Sequence, residues 1–130
     1  MAEEYLLDAS ALLALLQNES GADRVVAVLD RASIHAVQLA EVVKKLNRPG
    51  IDPGFCEESV QRLALPVIEE FSSAQAYDTR VYCVKGMSLG DRICLSAANL
   101  LGMTIVSADR VWVTLAAGRP DWNVRISLIR

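Results

Sequence analysis

The sequence has few residues of the kinds that bind zinc or carry redox chemistry: one histidine and three cysteines among 130 residues. The cysteines, Cys56, Cys83 and Cys94, form no Cys-x-x-Cys pair, which excludes a zinc ribbon and a thioredoxin-type motif. We therefore expect all three to be buried free thiols. A single histidine cannot build a zinc site, and no motif supports Ser-His-Asp catalysis, so His35 is predicted to be structural.

The sequence also lacks an apolar run of the roughly 20 residues that a membrane-spanning helix needs. The residues before Leu6 are acidic, not basic as in a signal peptide, so we expect a cytoplasmic protein with no membrane contact. Basic residues are not in excess: the sequence has 13 Lys and Arg and 16 Asp and Glu, which gives a net charge of -3. The whole chain is therefore no general polyanion binder, and any nucleic-acid role must depend on local cations or metal ions.

Apolar residues are abundant, at 52% of the sequence, and the mean hydropathy is +0.27. This composition excludes a disordered chain, and 130 residues suit one compact domain that spans 1–130. So much apolar surface needs either helices buried on several sides or a partner that covers an exposed patch. We therefore expect a homodimer.

Strand-like and helix-like segments alternate along the chain. The predicted strands are 4–8, 33–37, 65–68, 103–107 and 124–128, and the predicted helices are 9–17, 20–31, 39–46, 55–63, 72–84, 88–101 and 109–117. Ser10 is the candidate cap of the first helix, and Gly102 ends the sixth, which should be the central buried helix. The repeated strand-then-helix order predicts an α/β fold, a three-layer α/β/α sandwich with a mainly parallel central sheet.

Four acidic residues stand out by their positions in this pattern. Asp8 ends the first predicted strand, Asp109 follows the fourth, and Glu41 and Asp91 lie in the first turns of helices. Each alone has an ordinary explanation, because helix N-termini carry unpaired N–H groups and partial positive charge that favour Asp and Glu. Ser88 and Asp91 even match a capping box.

Together the four acids are more informative, because a parallel sheet brings the N-termini of their helices to one edge. Carboxylates gathered there repel one another unless a cation offsets their charge. Mg²⁺ and Mn²⁺ prefer oxygen ligands and need no histidine or cysteine. The sequence therefore favours a site for one of these ions, built from Asp8, Glu41, Asp91 and Asp109.

Five basic residues accompany these acids and are candidates for RNA phosphate contacts: Lys44, Lys45, Arg48, Arg92 and Arg110. The first three share a helical stripe with Glu41. That stripe is either a solvated face with a weak Glu41–Lys45 ion pair or a set of phosphate-binding cations beside a metal ligand. The last two each directly follow a proposed ligand, where an ordinary surface arginine is the simpler interpretation.

The motifs around the acids resemble the PIN-domain family, and within it the VapC-type ribonuclease toxins of prokaryotic toxin-antitoxin pairs. Residues 6–12, Leu-Leu-Asp-Ala-Ser-Ala-Leu, are similar to the family's first motif, an apolar strand ending in Asp with a hydroxyl residue two positions later. Ala40-Glu41-Val42 falls where the family has its acidic helix residue. Residues 87–93 and 104–109 resemble its third and last motifs, so the resemblance covers nearly the whole chain in the family's order.

The resemblance implies an endoribonuclease that hydrolyses RNA phosphodiester bonds with Mg²⁺ or Mn²⁺ and is held inactive by a cognate antitoxin. It implies that Asp8, Asp91 and Asp109 hold the metal, which activates an attacking water. Glu41 would ligate the same metal or orient the water.

Ser10 and Ser107 would support this site through hydrogen bonds to its ligands. Ser107 stands where the family usually has Thr, which keeps the hydroxyl. Gly90 stands where Ala is frequent, and glycine loosens the start of a helix by up to about 1 kcal/mol. Neither departure removes a carboxylate.

Other functions agree less well with these residues. A phosphatase with an Asp nucleophile also begins with a strand ending in Asp, but it needs a second Asp where this chain has Ser10. A phospho-acceptor signalling domain needs a partner lysine after a late strand, and none stands there. The third alternative is a catalytically inactive PIN-like module that binds RNA or protein, against which the intact carboxylates argue.

Overall fold

A computed structural model describes residues 2–130, so Met1 of the predicted domain lies outside the described residues. Five strands form one sheet: β1 (Tyr5–Leu7), β2 (Ala32–His35), β3 (Val67–Ile68), β4 (Thr104–Ser107) and β5 (Ile126–Leu128). Their order is β3-β2-β1-β4-β5, and every neighbouring pair is parallel. The winding direction reverses between β1 and β4, and ligands bind beyond the carboxyl ends of the strands at such a point.

In the described part of the chain, seven α-helices surround the sheet: α1 (Ala9–Leu16), α2 (Ala22–Val28), α3 (Ala36–Leu46), α4 (Phe55–Arg62), α5 (Ser73–Asp78), α6 (Leu89–Leu101) and α7 (Arg110–Ala117). Short 3-10 turns, Leu29–Arg31 and Thr79–Tyr82, directly follow α2 and α5. Within residues 2–130, no helix has the length and apolar character that crossing a membrane requires.

The central strand β1 shows how the sheet separates two apolar cores. Successive residues of a strand point to opposite faces, and both Leu6 and Leu7 are fully buried. Leu7 belongs to a core with residues of α1 to α4, whereas Leu6 belongs to a core with residues of α6, α7 and the turn after α5. Helices therefore cover both faces, which confirms the predicted three-layer α/β/α fold with a parallel sheet.

Two helices are shorter than the sequence predicts. The predicted helix 20–31 is α-helical only from Ala22 to Val28, and the predicted helix 72–84 only from Ser73 to Asp78. Both continue as 3-10 turns, whose side-chain period is close enough to the α-helical one that the apolar pattern does not separate them. Ser72 caps α5, as expected, through a capping box with Gln75.

The strands are also shorter than predicted. β3 and β5 contain only the residues that pair with a neighbouring strand, so Leu65 and Val124 lie outside them. β2 ends at His35, and Val37 is already helical. The His35 Nδ1 accepts a hydrogen bond from the Val37 N–H at 3.1 Å, and its Nε2 lies 3.0 Å from the Glu70 carbonyl oxygen. Both ring nitrogens therefore serve the backbone, in agreement with the structural role predicted for His35.

The three cysteines are free, as predicted, but they are not all buried. Cys56 and Cys94 are buried and Cys83 is exposed, so the prediction of three buried thiols was wrong for Cys83. The reason is the early end of the preceding turn at Tyr82, which leaves Cys83 on the surface stretch before α6. There the Arg92 guanidinium donates to the Cys83 sulfur at 3.2 Å.

Candidate active site

Asp8 lies at the carboxyl end of β1 and is the N-cap of α1, where its Oδ1 accepts a hydrogen bond from the Ala11 N–H at 2.9 Å. The Ser10 hydroxyl donates to the same oxygen at 2.6 Å, and the Ser107 hydroxyl donates to Oδ2. Only 3% of Asp8 is exposed. The predicted cap role of Ser10 was wrong, because Ser10 lies inside α1 and its hydroxyl holds the residue that caps the helix.

The two serines also connect Asp8 to the beginning of α7. The Ser10 hydroxyl accepts a hydrogen bond from the Ala108 N–H, and the Ser107 hydroxyl accepts one from the Asp109 N–H, each at 2.9 Å. Asp109 is the N-cap of α7, where its Oδ1 accepts a hydrogen bond from the backbone two residues later. The carboxyl ends of β1 and β4 are thus joined by one network that contains two of the four acids.

The surroundings of Asp8 disfavour its charge. Burial raises the pKa of Asp8, the three hydrogen bonds that its carboxylate accepts oppose this rise, and the nearby Asp109 carboxylate adds to it. Burial also raises the pKa of Cys94 well above its usual range, and the charges of Asp8 and Asp91 add to that effect. Cys94 is therefore a neutral thiol, and it lies within the electrostatic reach of two of the proposed ligands.

Asp91 lies in the first turn of α6, where it forms the predicted capping box with Ser88. The Asp91 Oδ2 accepts a hydrogen bond from the Ser88 N–H, and the Ser88 hydroxyl accepts one from the Asp91 N–H, each at 3.1 Å. Within residues 2–130, no hydrogen bond reaches the Oδ1 of Asp91. This half-buried carboxylate therefore serves its own helix with one oxygen and leaves the other free.

Gln38 is a residue of the site that the sequence reading missed. Its side chain is buried on α3, where its Oε1 accepts a hydrogen bond from the Ala9 N–H at 2.9 Å. Its Nε2 donates to the Gly90 carbonyl oxygen at 2.8 Å. One amide thus joins the first turn of α1 to the first turn of α6, and so fixes the elements that carry Asp8 and Asp91.

A local signal for Gln38 does exist in the sequence. Gln38, Val42 and Leu46 recur at intervals of four residues and form the buried face of α3. A polar amide on such a face needs hydrogen-bond partners, because an unpaired buried amide costs about 1–3 kcal/mol. Which backbone groups pair with it depends on contacts that are 29 and 52 residues distant in sequence.

All four predicted acids line one cleft of about 220 Å³ at this edge of the sheet. The other residues that line it are Ala9, Ser10, Gln38, Lys45, Ser88 and Trp112. Glu41 and Asp109 are half-buried there. Within residues 2–130, however, no three Asp, Glu, His or Cys side chains are grouped so that they could hold a metal ion together. The four acids thus line one cleft, but no three of their side chains are close enough together to coordinate one ion.

Trp112 forms part of the cleft wall and was also missed by the sequence reading. It is buried, and its indole N–H has no hydrogen-bond partner within the described part of the chain. The indole N–H of the other tryptophan, Trp122, donates to the Val81 carbonyl oxygen at 3.0 Å. The sequence shows Trp112 only as an apolar residue of α7, since its position beside the acids depends on how α7 packs.

The predicted phosphate-binding cations separate into two groups. Lys45 lines the acid cleft, and Lys45 and Arg48 line a neighbouring groove. Lys44, Arg92 and Arg110 line neither, and Arg92 instead binds the Ser88 carbonyl oxygen and the sulfur of Cys83. In residues 2–130 the only ion pair is between Arg125 and Glu3, so the weak Glu41–Lys45 pair does not form.

Comparison with known proteins identifies the family and supports the fold. The family model described as "PIN domain" matches residues 5–117, and no curated protein matches the chain. A chain of the DNA-bound VapBC complex from Salmonella typhimurium has a similar structure, with a TM-score of 0.74, 16% identity and coverage of 99% of this chain and 100% of that one. A chain of a toxin-antitoxin complex from Klebsiella pneumoniae has a TM-score of 0.70, 17% identity and 98% coverage of both chains. Since the family model covers most of its length, the chain belongs to the PIN-domain family.

Proposed function

We propose that residues 1–130 are a single PIN-like domain that acts as a divalent-metal-dependent endoribonuclease and hydrolyses RNA phosphodiester bonds. The observation that carries the proposal is the shared cleft of Asp8, Glu41, Asp91 and Asp109 beyond the carboxyl ends of β1 and β4. The sheet topology brings the helix N-termini to this edge, but capping alone does not require four carboxylates to line one cleft, whereas a hard cation needs several oxygen ligands together.

The donor set of the cleft fits Mg²⁺ or Mn²⁺. All four acids supply oxygen, and no histidine or sulfur atom lines the cleft within the described residues. Mg²⁺ keeps several of its waters and often takes only one or two carboxylates directly, so three grouped side chains are not required. Asp8, Asp91 and Asp109 would hold the ion, and Glu41 would either ligate it or orient a water.

The chemistry that such an ion supplies when bound is polarisation of a phosphoryl oxygen and a lower pKa for the attacking water. The chain's own contribution is orientation. Ser10 and Ser107 fix both oxygens of Asp8, and Gln38 fixes the distance between the helices that begin beside Asp8 and Asp91. Lys45 brings a positive charge to the same cleft, where it would attract the substrate phosphate.

We also propose that this ribonuclease is the VapC-type toxin of a toxin-antitoxin pair, with a cognate antitoxin as its partner and a cytoplasmic homodimer as its working form. The support is the motif pattern together with the similar folds of chains from the Salmonella VapBC complex and the Klebsiella toxin-antitoxin complex. Co-expression with a short reading frame next to its gene tests the pairing. A product that binds the chain and stops RNA cleavage is expected, and cleavage that persists in a stable complex would contradict it.

Cleavage of single-stranded RNA by the purified chain tests the nuclease proposal. We expect cleavage with Mg²⁺ or Mn²⁺, none after a chelator, and recovery when the metal is restored. Asp91→Asn, purified in parallel, removes one charge from the cleft and should lose cleavage. If Asp91→Asn cleaves as fast as the native chain, the activity comes from a contaminating nuclease and the proposal fails.

One observation favours the alternative of an inactive PIN-like module that binds RNA or protein. In residues 2–130 no three acids are grouped around a possible ion, although all four line the cleft. Isothermal titration with Mn²⁺ separates the two functions. Saturable binding that Asp8→Asn abolishes supports the nuclease, and the absence of binding in a folded chain supports the module.

A further inference from the structure

A second hollow, which we call the basic groove, adjoins the acid cleft. It has a volume of about 360 Å³ and is lined by Ser10, Leu13, Gln17, Glu19, Lys45, Arg48 and Arg130. Ser10 and Lys45 line both the groove and the acid cleft. A ligand that extends out of the acid cleft past these two residues therefore enters the basic groove.

The groove is positive although the chain is negative. Among the side chains that line it, three are cationic, Lys45, Arg48 and Arg130, and one is anionic, Glu19, whereas the whole chain has a net charge of -3. The ion pair between Arg125 and Glu3 is the only one in residues 2–130, so none of the three cations is neutralised by a direct partner. Their charge is available to an external anion.

Neutral acceptors hold the two arginines of the groove. The Arg48 Nη2 donates to the Gln17 Oε1 at 2.7 Å, and the Arg130 Nη1 donates to the Ser20 carbonyl oxygen at 2.8 Å. A guanidinium has five N–H donors, so both arginines keep donors for phosphate oxygens after making these contacts. A fixed guanidinium with free donors suits phosphate better than a mobile one, because less side-chain freedom is lost on binding.

We infer that the basic groove binds the backbone of single-stranded RNA next to the bond held in the acid cleft, with Arg48 and Arg130 contacting phosphates that are not cleaved. This inference rests on the proposed function. It specifies the substrate as a polynucleotide that spans both hollows, and it makes a dinucleotide a poor substrate because its single phosphate occupies only the acid cleft. It also separates Arg48 and Lys45 from Lys44 and Arg110, which line neither hollow.

Binding is tested with the full chain carrying Asp8→Asn, in chelator, by fluorescence anisotropy of a labelled single-stranded RNA of about 12 nucleotides. Arg48→Gln and Arg130→Gln should each weaken binding on the order of fivefold. Each should also reduce the slope of log affinity against log salt by about 0.7, the value for one lost contact to single-stranded nucleic acid. Arg48→Lys keeps the charge and should restore most of the slope.

Lys44→Gln and Arg110→Gln are the matched controls, since each removes one exposed positive charge from outside the groove. They should leave the salt slope unchanged. An equal loss in these controls would mean that bulk charge attracts the RNA, and the inference would be wrong. An acidic polyglutamate peptide that displaces the RNA as well as unlabelled RNA does would assign the groove to a protein segment and overturn the inference.

Kinetics with the native catalytic residues give the second readout. Arg48→Gln and Arg130→Gln should raise KM for the long RNA with little change in kcat, and should leave cleavage of a dinucleotide with one phosphodiester unchanged. Cleavage of long RNA with an unaltered KM would overturn the inference and leave the nuclease intact. Loss of RNA binding in the groove variants of a chain that never cleaves RNA would support the groove and contradict the nuclease.

Discussion

The two sides of the acid cleft differ in how they hold their carboxylates. On one side, both oxygens of Asp8 accept hydrogen bonds from side chains that come from α1 and from the end of β4. On the other side, Asp91 makes its hydrogen bonds with Ser88, three residues earlier in the chain. Asp8 is therefore held by a local helix cap together with a long-range hydrogen bond from the end of β4, whereas the Asp91 carboxylate is held by a local helix cap alone.

Because of this difference, Asp8 is oriented before any ion binds and Asp91 is not. Asp8 cannot turn without breaking bonds to Ser10, Ser107 and the α1 backbone, and it is buried. Asp91 is half-buried, with one oxygen free, so it can adjust to a ligand. Under the proposed function, Asp8 would set the position of a bound ion and Asp91 would complete its coordination.

Removing the carboxylate charge on either side of the cleft should reduce activity most. Asp8→Asn should lower kcat/KM for RNA on the order of 100-fold or more, because Asn keeps the shape but not the charge that offsets a cation. Asp91→Asn should also lower kcat/KM for RNA. Titration calorimetry should show a smaller loss of Mn²⁺ affinity for Asp91→Asn than for Asp8→Asn. Asp23→Asn, in the first turn of α2, is the matched control and should change neither quantity. If Asp91→Asn weakens Mn²⁺ binding more than Asp8→Asn does, the assignment of the leading role to Asp8 is wrong.

A smaller effect is expected from the serines that support the two sides. Ser107→Ala removes a donor to Asp8 and an acceptor for the Asp109 N–H, which should cost about 1–3 kcal/mol in the free energy of unfolding. It should also lower Mn²⁺ affinity or activity by roughly 10- to 100-fold. Ser88→Ala removes only an N-cap, at about 1 kcal/mol, and should affect activity less. Urea unfolding measures the loss of stability in each variant, and RNA cleavage measures the loss of activity. Equal losses of activity in Ser107→Ala and Ser88→Ala would contradict the difference between the two sides.

The contrast between the two sides also explains what could be predicted from the sequence. The capping box of α6 and its left-handed end at Gly102, with a φ of 67°, depend on neighbouring residues, and the sequence predicted both. The strand-helix alternation likewise predicted the parallel three-layer fold. The proposed ligand roles of the four acids stay predictions, because they concern chemistry rather than shape.

What the sequence did not predict depends on long-range contacts. Gln38 meets Ala9 and Gly90 only after α1, α3 and α6 have packed, and the wall position of Trp112 depends on the packing of α7. The exposure of Cys83 was missed because the apolar pattern does not show where a 3-10 turn ends. Local patterns therefore specified the elements and caps, and tertiary packing specified the residues that connect them.

The pH dependence of stability should also differ between the two sides. The pKa of Asp8 in the folded chain is raised above the ordinary value of 3.8, so between these two values the folded state binds a proton that the unfolded state has released. The contribution of Asp8 to stability is thus fully present below 3.8 and is lost as pH rises through the higher folded value. Asp8→Asn removes this dependence. In chelator, the difference in unfolding free energy should therefore shift in favour of Asp8→Asn as pH rises from about 4 to about 7, and a constant difference would contradict the buried charge.

A substitution of Gly90, in the first turn of α6 on the Asp91 side, should change activity least. A Cβ added there would lie 3.7 Å from the Gln38 Nε2 and 3.9 Å from the Glu41 Cγ, which are ordinary contacts. Gly90→Ala should therefore raise the free energy of unfolding by up to about 1 kcal/mol, because alanine loses less backbone freedom in a helix than glycine does. Gly102→Ala is the contrasting variant, since its positive φ strains any side chain, and it should destabilise the same helix.

RNA cleavage by Gly90→Ala should stay within about twofold of the native rate. A large loss of cleavage in a stabilised chain would mean that the Asp91 side must move during the reaction, and that a looser start of α6 is part of how Asp91 reaches the ion.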